Sequence, residues 1–217
     1  MFRDRTDGGQ LLALQLTKYK NNPDLLVLAL PRGGVPVGYE IAKALNATLD
    51  VFVVRKLGVP GHEEFGMGAI ASGGARILND QIIRHLHISP ETIDAVTSRE
   101  EMELQRRERL YRGDRGPLNI HGKTVILVDD GLATGSSMKA AIAAVRQQNP
   151  ARIVVAVPTA PPATCAELKT VADEVICAMT PQYFRAVGEW YESFAQTTDA
   201  EVQDLMKKGA QVQIGLF

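Results

Sequence analysis

Several features that mark large classes of protein are scarce or absent in this 217-residue sequence. Its two cysteines, Cys165 and Cys177, are too few for a disulfide framework, and no group of cysteines and histidines has zinc-site spacing. Because 24 lysines and arginines stand against 25 acids, the charge does not favour binding to nucleic acid or to an anionic membrane. No apolar run approaches the ~18 residues of a membrane span, and the charged N-terminus is not a signal peptide.

These absences predict a globular, cytoplasmic protein in a reducing compartment, with Cys165 and Cys177 as core residues. The length predicts a single domain over residues 1–217.

Short apolar runs separated by helical patterns predict an α/β fold. Each run is continuous rather than alternating, as expected for strands buried on both faces of a parallel sheet. Between the runs, helical stripes such as Val37, Ile41 and Leu45 predict flanking helices, another begins at Ser136, and a third extends from Pro162 to Val171. The sequence therefore predicts a Rossmann-like parallel sheet flanked by helices, with ligands bound beyond the carboxyl ends of the strands. The predicted strands are residues 25–30, 51–54, 125–128, 153–157 and 175–179.

Two stretches interrupt this pattern. Residues 55–79 contain six glycines, so we predict a mobile loop over residues 57–75, with at most a short β-ribbon. Residues 89–115 begin with a helix-start signal and alternate acids with arginines, which predicts a charged helix that connects other elements rather than a basic binding surface. The i,i+4 pairs Glu103/Arg107 and Glu108/Arg112 support an exposed helix.

The segment at residues 124–138 carries the clearest chemistry. A buried strand ends in two acids, Asp129 and Asp130, and a short loop rich in threonine, glycine and serine then leads into a helix. Amides at a helix start, with hydroxyls beside them, suit a phosphate group. The adjacent acids suit sugar hydroxyls or a divalent cation. The site is therefore suited to a phosphorylated sugar.

This segment resembles the motif by which type I phosphoribosyltransferases bind phosphoribosyl pyrophosphate (PRPP), and the overall pattern is most similar to uncharacterised bacterial members of that family. The resemblance implies the family fold, with a flexible loop and a small hood or C-terminal appendage over residues 180–217. It also implies that Asp129 and Asp130 hold the ribose. Gly131 departs from the motif, which usually has an aliphatic residue there. The residues implied to hold the 5′-phosphate are Ala133, Thr134, Gly135, Ser136 and Ser137.

Two further segments support the resemblance. Arg32, Gly33 and Gly34 follow the first strand and look like the family's pyrophosphate loop, in which a cis peptide, here Pro31–Arg32, often precedes the basic residue. Arg55 and Lys56 resemble the adenine and orotate branches, where such a pair precedes a mobile catalytic loop. The loop that follows here lacks the additional lysine of the orotate pattern, and its histidine, His62, is shifted by one residue from the position in that pattern.

The resemblance implies transfer of a phosphoribosyl group from Mg²⁺-bound PRPP to a nitrogen acceptor such as a nucleobase, with release of pyrophosphate. Mg²⁺ is then held mainly through PRPP, with Asp129 and Asp130 as candidate protein ligands. Together with Arg55 and Lys56, the candidates for catalysis are His62, Glu63 and Glu64, which could deprotonate an acceptor or remain ordinary loop residues.

The acceptor side of the site is less defined. Tyr183 and Phe184 are candidates for stacking on a base, although a cluster that ties down the C-terminal segment, or a homodimer contact, explains such aromatics equally well. Enzymes for 6-oxopurines have an aspartate where Ala133 stands, so hypoxanthine and guanine are disfavoured and adenine is compatible. Two other functions stay open: a non-catalytic regulator that binds PRPP, and a hydrolase of PRPP or another phosphosugar.

Overall fold

The computed structural model describes residues 1–214, without the side chains of Glu64 and residues 211–214. In chain order the strands are β1 (Leu25–Ala29), β2 (Thr48–Val51), β3 (Val54–Val59), β4 (His62–Ala71), β5 (Ala75–Leu78), β6 (Thr124–Val128), β7 (Arg152–Thr159) and β8 (Glu174–Met179). The α-helices are α1 (Arg5–Gln15), α2 (Gly34–Leu45), α3 (Asp80–His85), α4 (Pro90–Arg112), α5 (Ser136–Arg146), α6 (Pro162–Leu168) and α7 (Asp199–Ile214).

A five-stranded parallel sheet in the order β2-β1-β6-β7-β8 forms the centre of the molecule. All five residues of β1 are buried, because apolar side chains cover both faces of the sheet. Helices α1, α2 and α7 supply the core on one face, and α5 and α6 supply it on the other. The predicted α/β fold with a flanked parallel sheet is thus confirmed.

The position of the second predicted strand was wrong. The sequence run at residues 51–54 spans the end of β2 and the beginning of β3, and Phe52 and Val53 lie between the two strands. Both side chains are fully buried because Phe52 packs into the main core and Val53 into a second core. Their apolar character therefore reflects a buried connection rather than a strand.

The prediction of a loop over residues 57–75 was also wrong for most of its length. Strands β3, β4 and β5 form a three-stranded antiparallel sheet, which packs with α4 around a small core that includes Leu57 and Met67. Several of its glycines lie within strands rather than in turns, and at Gly68 a side chain would collide with the carbonyl oxygen of Ile77. The glycine content therefore reflects close backbone packing within the strands, and turns in which Gly61, Gly73 and Gly74 adopt positive φ.

The predicted charged helix is α4, which begins after the capping residue Ser89. The expected Glu103–Arg107 pair is present at 2.7 Å. Arg112, the expected partner of Glu108, instead points inward and donates two hydrogen bonds to the carboxylate of Asp50, at 3.0 and 3.2 Å. Both of these side chains are nearly buried, so this ion pair joins α4 to the edge of the main sheet.

Replacing Asp50 by asparagine should lower the free energy of unfolding by about 2 kcal/mol, because the Arg112 guanidinium would keep a buried position without its charged acceptor. Urea denaturation measures this change. The matched control is Asp94→Asn, which removes one carboxylate of an exposed pair with Arg76 and should cost less than about 1 kcal/mol. Equal effects of the two substitutions would contradict a structural role for the Asp50 pair.

The N-terminal residues contact the segment that follows β8. The amide of Phe2 donates to the carbonyl of Trp190 at 2.8 Å, and the rings of Phe2 and Tyr191 lie 5.5 Å apart. Tyr191 also stacks on Phe194 at 5.0 Å. The aromatic residues after β8 therefore include a cluster that fixes the C-terminal segment, as one of the two alternative interpretations of these residues predicts.

Cys165 lies in the main core and Cys177 packs against it, which agrees with the prediction for both residues. The sequence analysis did not foresee that they form a disulfide with each other, between α6 and β8. The reducing compartment stays a prediction. Among the helices of the described residues, none combines the length and the apolar character needed to cross a bilayer.

Candidate phosphoribosyl site

Two loops meet at the carboxyl ends of the central strands because β1 and β6 are parallel neighbours in the sheet. Ala29 pairs with Val128 at the end of this ladder, and the amide of Leu30 donates to the carbonyl of Val128 at 2.8 Å. From β1 the chain passes to β2 on one side, whereas β6 lies on the other side. Such a switch in strand order opens a crevice at the carboxyl ends, where ligands of α/β proteins bind.

The loop after β1 passes very close to the loop after β6. It contains a cis peptide between Pro31 and Arg32, as the family resemblance implies. A Cβ atom on Gly34 would lie 2.7 Å from the carbonyl oxygen of Val128, and one on Gly33 would collide with the carboxylate of Asp130. The two glycines therefore allow this loop to reach the acids.

The acids themselves lie in a partly buried position. The side chain of Asp130 is 14% exposed, and its backbone amide donates to the carboxylate of Asp129 at 2.9 Å. Burial, and secondly the neighbouring Asp130, raise the pKa of Asp129 well above its usual value. Burial also raises the pKa of Asp130, although Arg5 opposes this effect. Hydroxyl donors or a cation would stabilise the two ionised groups.

Arg5 contacts Asp130 from a helix that the sequence analysis did not associate with the site. Its Nε donates to Oδ2 of Asp130 at 2.7 Å, and its Nη1 donates to the carbonyl of Ala195 at 2.7 Å. The guanidinium also lies 4.0 Å from the ring centre of Phe194. No local pattern signals this contact, because Arg5 and Asp130 are 125 residues apart.

The loop at residues 133–137 forms the start of α5. Gly135 adopts φ +68° immediately before the helix, and the hydroxyl oxygens of Thr134 and Ser136 lie 3.0 Å apart. The hydroxyl of Thr164 on α6 fixes this loop by donating to the carbonyl of Ala133 at 2.7 Å. Exposed hydroxyls therefore lie beside the amides of a helix start, which is an arrangement suited to a phosphate.

Gly131, where the motif usually has an aliphatic residue, is explained by its surroundings. A Cβ atom at this position would lie 2.5 Å from Cγ1 of Val187 and 3.1 Å from Cγ2 of Thr159. Val187 in the C-terminal segment thus occupies the space that an aliphatic side chain would need. The departure changes packing beneath the loop and leaves the two acids in place.

A cavity of about 750 Å³ is lined by the antiparallel sheet and by α5, and Ser136 and Ser137 of the predicted phosphate loop form part of its wall. Its lining includes Lys56, Ser136 and Ser137, and two cations that the sequence analysis missed, Arg84 and Lys139. It therefore brings the predicted Lys56 and the predicted phosphate loop to one space.

Arg55, the neighbour of Lys56 on β3, does not line this cavity. It instead forms an ion pair with Glu100 on α4 at 2.6 Å. Successive side chains of a strand point to opposite faces, so Arg55 packs against α4 whereas Lys56 lines the cavity.

A second, smaller cavity of about 320 Å³ lies beside Asp130. Its lining includes Arg5, Arg32, Gly33, Asp130 and Phe194. It thus combines the predicted pyrophosphate loop with one of the predicted ribose acids, and the C-terminal segment closes its far side.

The linings of these two cavities do not include His62, Glu63, Tyr183 or Phe184. His62 and Glu63 are exposed near the tip of the β3–β4 hairpin, and the side chain of Glu64 lies outside the described residues. Tyr183 is 92% exposed, and Phe184 stacks on Trp190 at 6.2 Å. Their roles in catalysis and base stacking stay predictions.

The donor set at the acids fits a magnesium ion that takes most of its ligands from phosphates and water. Within residues 1–214, no three acids, histidines or cysteines stand together as a metal-binding group. Asp129 and Asp130 still offer carboxylate oxygens, and Mg²⁺ in phosphate sites uses only one or two of these from the protein.

The comparisons with known proteins agree with this geometry. The model of the phosphoribosyl transferase domain matches residues 7–192, and the chain belongs to this family. "Putative phosphoribosyl transferase Rv0571c" of Mycobacterium tuberculosis is 45% identical over 202 residues, which are 93% of this chain and 45% of that protein. The chain thus spans less than half the length of this curated relative.

A solved structure and a second curated protein are also similar to this chain. The crystal structure of TT1426 from Thermus thermophilus is 41% identical with a TM-score of 0.85, covering 95% of this chain and 98% of that one. The "Bifunctional protein PyrR" of Chloroflexus aurantiacus is 33% identical over 129 residues, which are 58% of this chain and 65% of that protein.

Proposed function

We propose that the protein is a phosphoribosyltransferase that binds Mg²⁺ and PRPP and transfers the phosphoribosyl group to a nitrogen of a nucleobase. The observation that carries this proposal is the meeting of two loops at the ends of β1 and β6. Gly33 lies against Asp130 there, so the pyrophosphate loop and one of the two proposed ribose acids line one cavity.

In the proposed reaction, a bond forms between the acceptor nitrogen and C1 of the ribose while the bond from C1 to the pyrophosphate oxygen breaks. The acceptor nitrogen gives its proton to a base, for which His62, Glu63 and Glu64 are the candidates.

Asp129 and Asp130 accept hydrogen bonds from the ribose hydroxyls, and the helix start at residues 133–137 holds the 5′-phosphate. Bound Mg²⁺ would offset charge on the departing pyrophosphate, with the two acids as its candidate protein ligands. Arg32 supplies positive charge from the smaller cavity and Lys56 supplies it from the larger one.

Ala133 lies in the exposed phosphate loop, and this position has no carboxylate that could contact a 6-oxopurine. We therefore propose adenine as the first acceptor to test. The regulator and the hydrolase stay the alternative functions, since both would use the same PRPP-binding residues.

Calorimetric titration of PRPP, with and without MgCl₂, tests the proposed ligand. We expect binding that is strengthened by Mg²⁺, followed by release of pyrophosphate when adenine or another nucleobase is added. Binding with no release for any base would favour the regulator, and release of pyrophosphate without a base would favour the hydrolase. The absence of binding under both conditions would overturn the proposal.

Replacing Lys56 by alanine should reduce the affinity for PRPP about 10-fold, because one cation would be lost from the cavity that includes the phosphate loop. The matched variant is Arg55→Ala, one residue away. It should leave PRPP affinity within about 2-fold, since Arg55 pairs with Glu100, and lower the unfolding free energy by about 1 kcal/mol. Titration of PRPP and urea denaturation separate these outcomes, and a larger loss of affinity in the Arg55 variant would contradict the assignment.

A further inference from the structure

We propose that Arg5 is a second arginine contact for the pyrophosphate group of PRPP, supplied by helix α1 from outside the segments that carry the family resemblance. This inference rests on the proposed function, because it assigns a residue to the same site. It adds a binding residue that neither the motif resemblance nor the local sequence identifies.

The first argument is the position of Arg5 at the smaller cavity. Arg5 and Arg32 both line this space, together with Gly33 of the pyrophosphate loop. A pyrophosphate group is multiply charged, and arginine is well suited to it because the planar guanidinium can donate two parallel hydrogen bonds to phosphate oxygens. A ligand held by the Arg32 loop and Asp130 would therefore bring its charged group close to Arg5.

Each of the two arginines already pairs with a carboxylate. Arg5 pairs with Asp130 at 2.7 Å, and Arg32 lies 3.6 Å from Asp199 at the start of α7. When ribose hydroxyls bind to Asp130, they compete with Arg5 for the same carboxylate oxygens. A phosphate oxygen beside the guanidinium would give Arg5 a new acceptor, so the exchange of partners would keep every charged group paired.

The third argument is that the surroundings of Arg5 orient it toward the site. Its side chain is 12% exposed, and besides Asp130 it contacts the carbonyl of Ala195 and the ring of Phe194. Phe194 also lines the cavity. By contrast, Arg3, which precedes Arg5 by two residues, is 73% exposed and pairs with Asp7 on the surface. Arg3 therefore provides a matched control for the loss of one N-terminal arginine.

The test compares two ligands that differ in the pyrophosphate group. Calorimetric titrations of PRPP and of ribose 5-phosphate, both with MgCl₂, are made on the wild type and on Arg5→Gln, Arg5→Lys and Arg3→Gln. We expect Arg5→Gln to weaken PRPP binding about 10- to 100-fold and to leave ribose 5-phosphate within about 3-fold or bound more tightly. Arg5→Lys should restore part of the PRPP affinity, and Arg3→Gln should change neither ligand.

Both ligands are measured on the same folded sample, so partial misfolding of a variant cannot imitate a selective loss. Equal weakening of both ligands by Arg5→Gln would make Arg5 a structural residue and overturn the proposal. Tighter binding of both ligands would show that Arg5 blocks the site, and unchanged binding of both would show that Arg5 has no role there. Either result would also overturn the proposal. A wild type that does not bind PRPP would instead reject the proposed function itself.

Discussion

Replacing Asp129 and Asp130 together by asparagine should reduce the affinity for PRPP at least about 100-fold, as measured by calorimetric titration in the presence of MgCl₂. Each ribose hydroxyl would lose a charged acceptor, and a hydrogen bond to a charged group contributes about 1.5 kcal/mol or more. Mg²⁺ would also lose its candidate carboxylate ligands. Asparagine has nearly the same size as aspartate, so the change is chemical rather than steric.

The control for this variant is Asp114→Asn, which removes an exposed carboxylate in the turn after α4. It should bind PRPP like the wild type. Thermal unfolding of the double variant should show a folded protein, because burial already raises the pKa of both acids and the neutral amides remove buried charge. If the folded double variant kept wild-type affinity, the assignment of the two acids to the ribose would be wrong.

Replacing Gly34 by alanine should weaken PRPP binding by about 100-fold and lower the free energy of unfolding by about 1–3 kcal/mol. The added methyl group would lie 2.7 Å from the carbonyl oxygen of Val128 and 2.9 Å from Cα of Asp129. Both neighbours are backbone atoms, so relief requires the two loops to move apart. That movement would displace the first acid from the pyrophosphate loop.

Gly116→Ala is the matched control, since no heavy atom lies within 4 Å of a Cβ atom at that position. It should change the free energy of unfolding by no more than about 0.5 kcal/mol and leave PRPP affinity unchanged. Titration and urea denaturation of the two variants give the comparison. Equal behaviour of the two alanine variants would show that the close approach of the two loops is unimportant for the site.

The parts of the fold that were predictable are those whose signal is local. Strands β1, β6, β7 and β8 are continuous apolar runs because both faces of the central sheet are buried, and the phosphate loop is contained in one short segment. The acids and the loop that holds Gly34 follow neighbouring strands, so their proximity follows from sheet order.

The parts that were missed depend on contacts between distant segments. Glycines such as Gly68 suggest a loop in the sequence, but in the structure they allow strands to approach each other within an antiparallel sheet. Arg112 has the spacing of an exposed helix pair, but the buried Asp50 is its partner. Arg5 has no local sign of a role, because its partner is Asp130 in the middle of the chain.

The contact between α1 and the segment that follows β8 has a consequence for synthesis on the ribosome. Arg5 is made before β1, whereas Phe194 and Ala195, which contact its side chain, are made after β8. A nascent chain that has released residues only as far as β8 from the exit tunnel would contain the loops after β1 and β6 without this support. Ligand binding should therefore mature only after the segment that follows β8 has docked against α1.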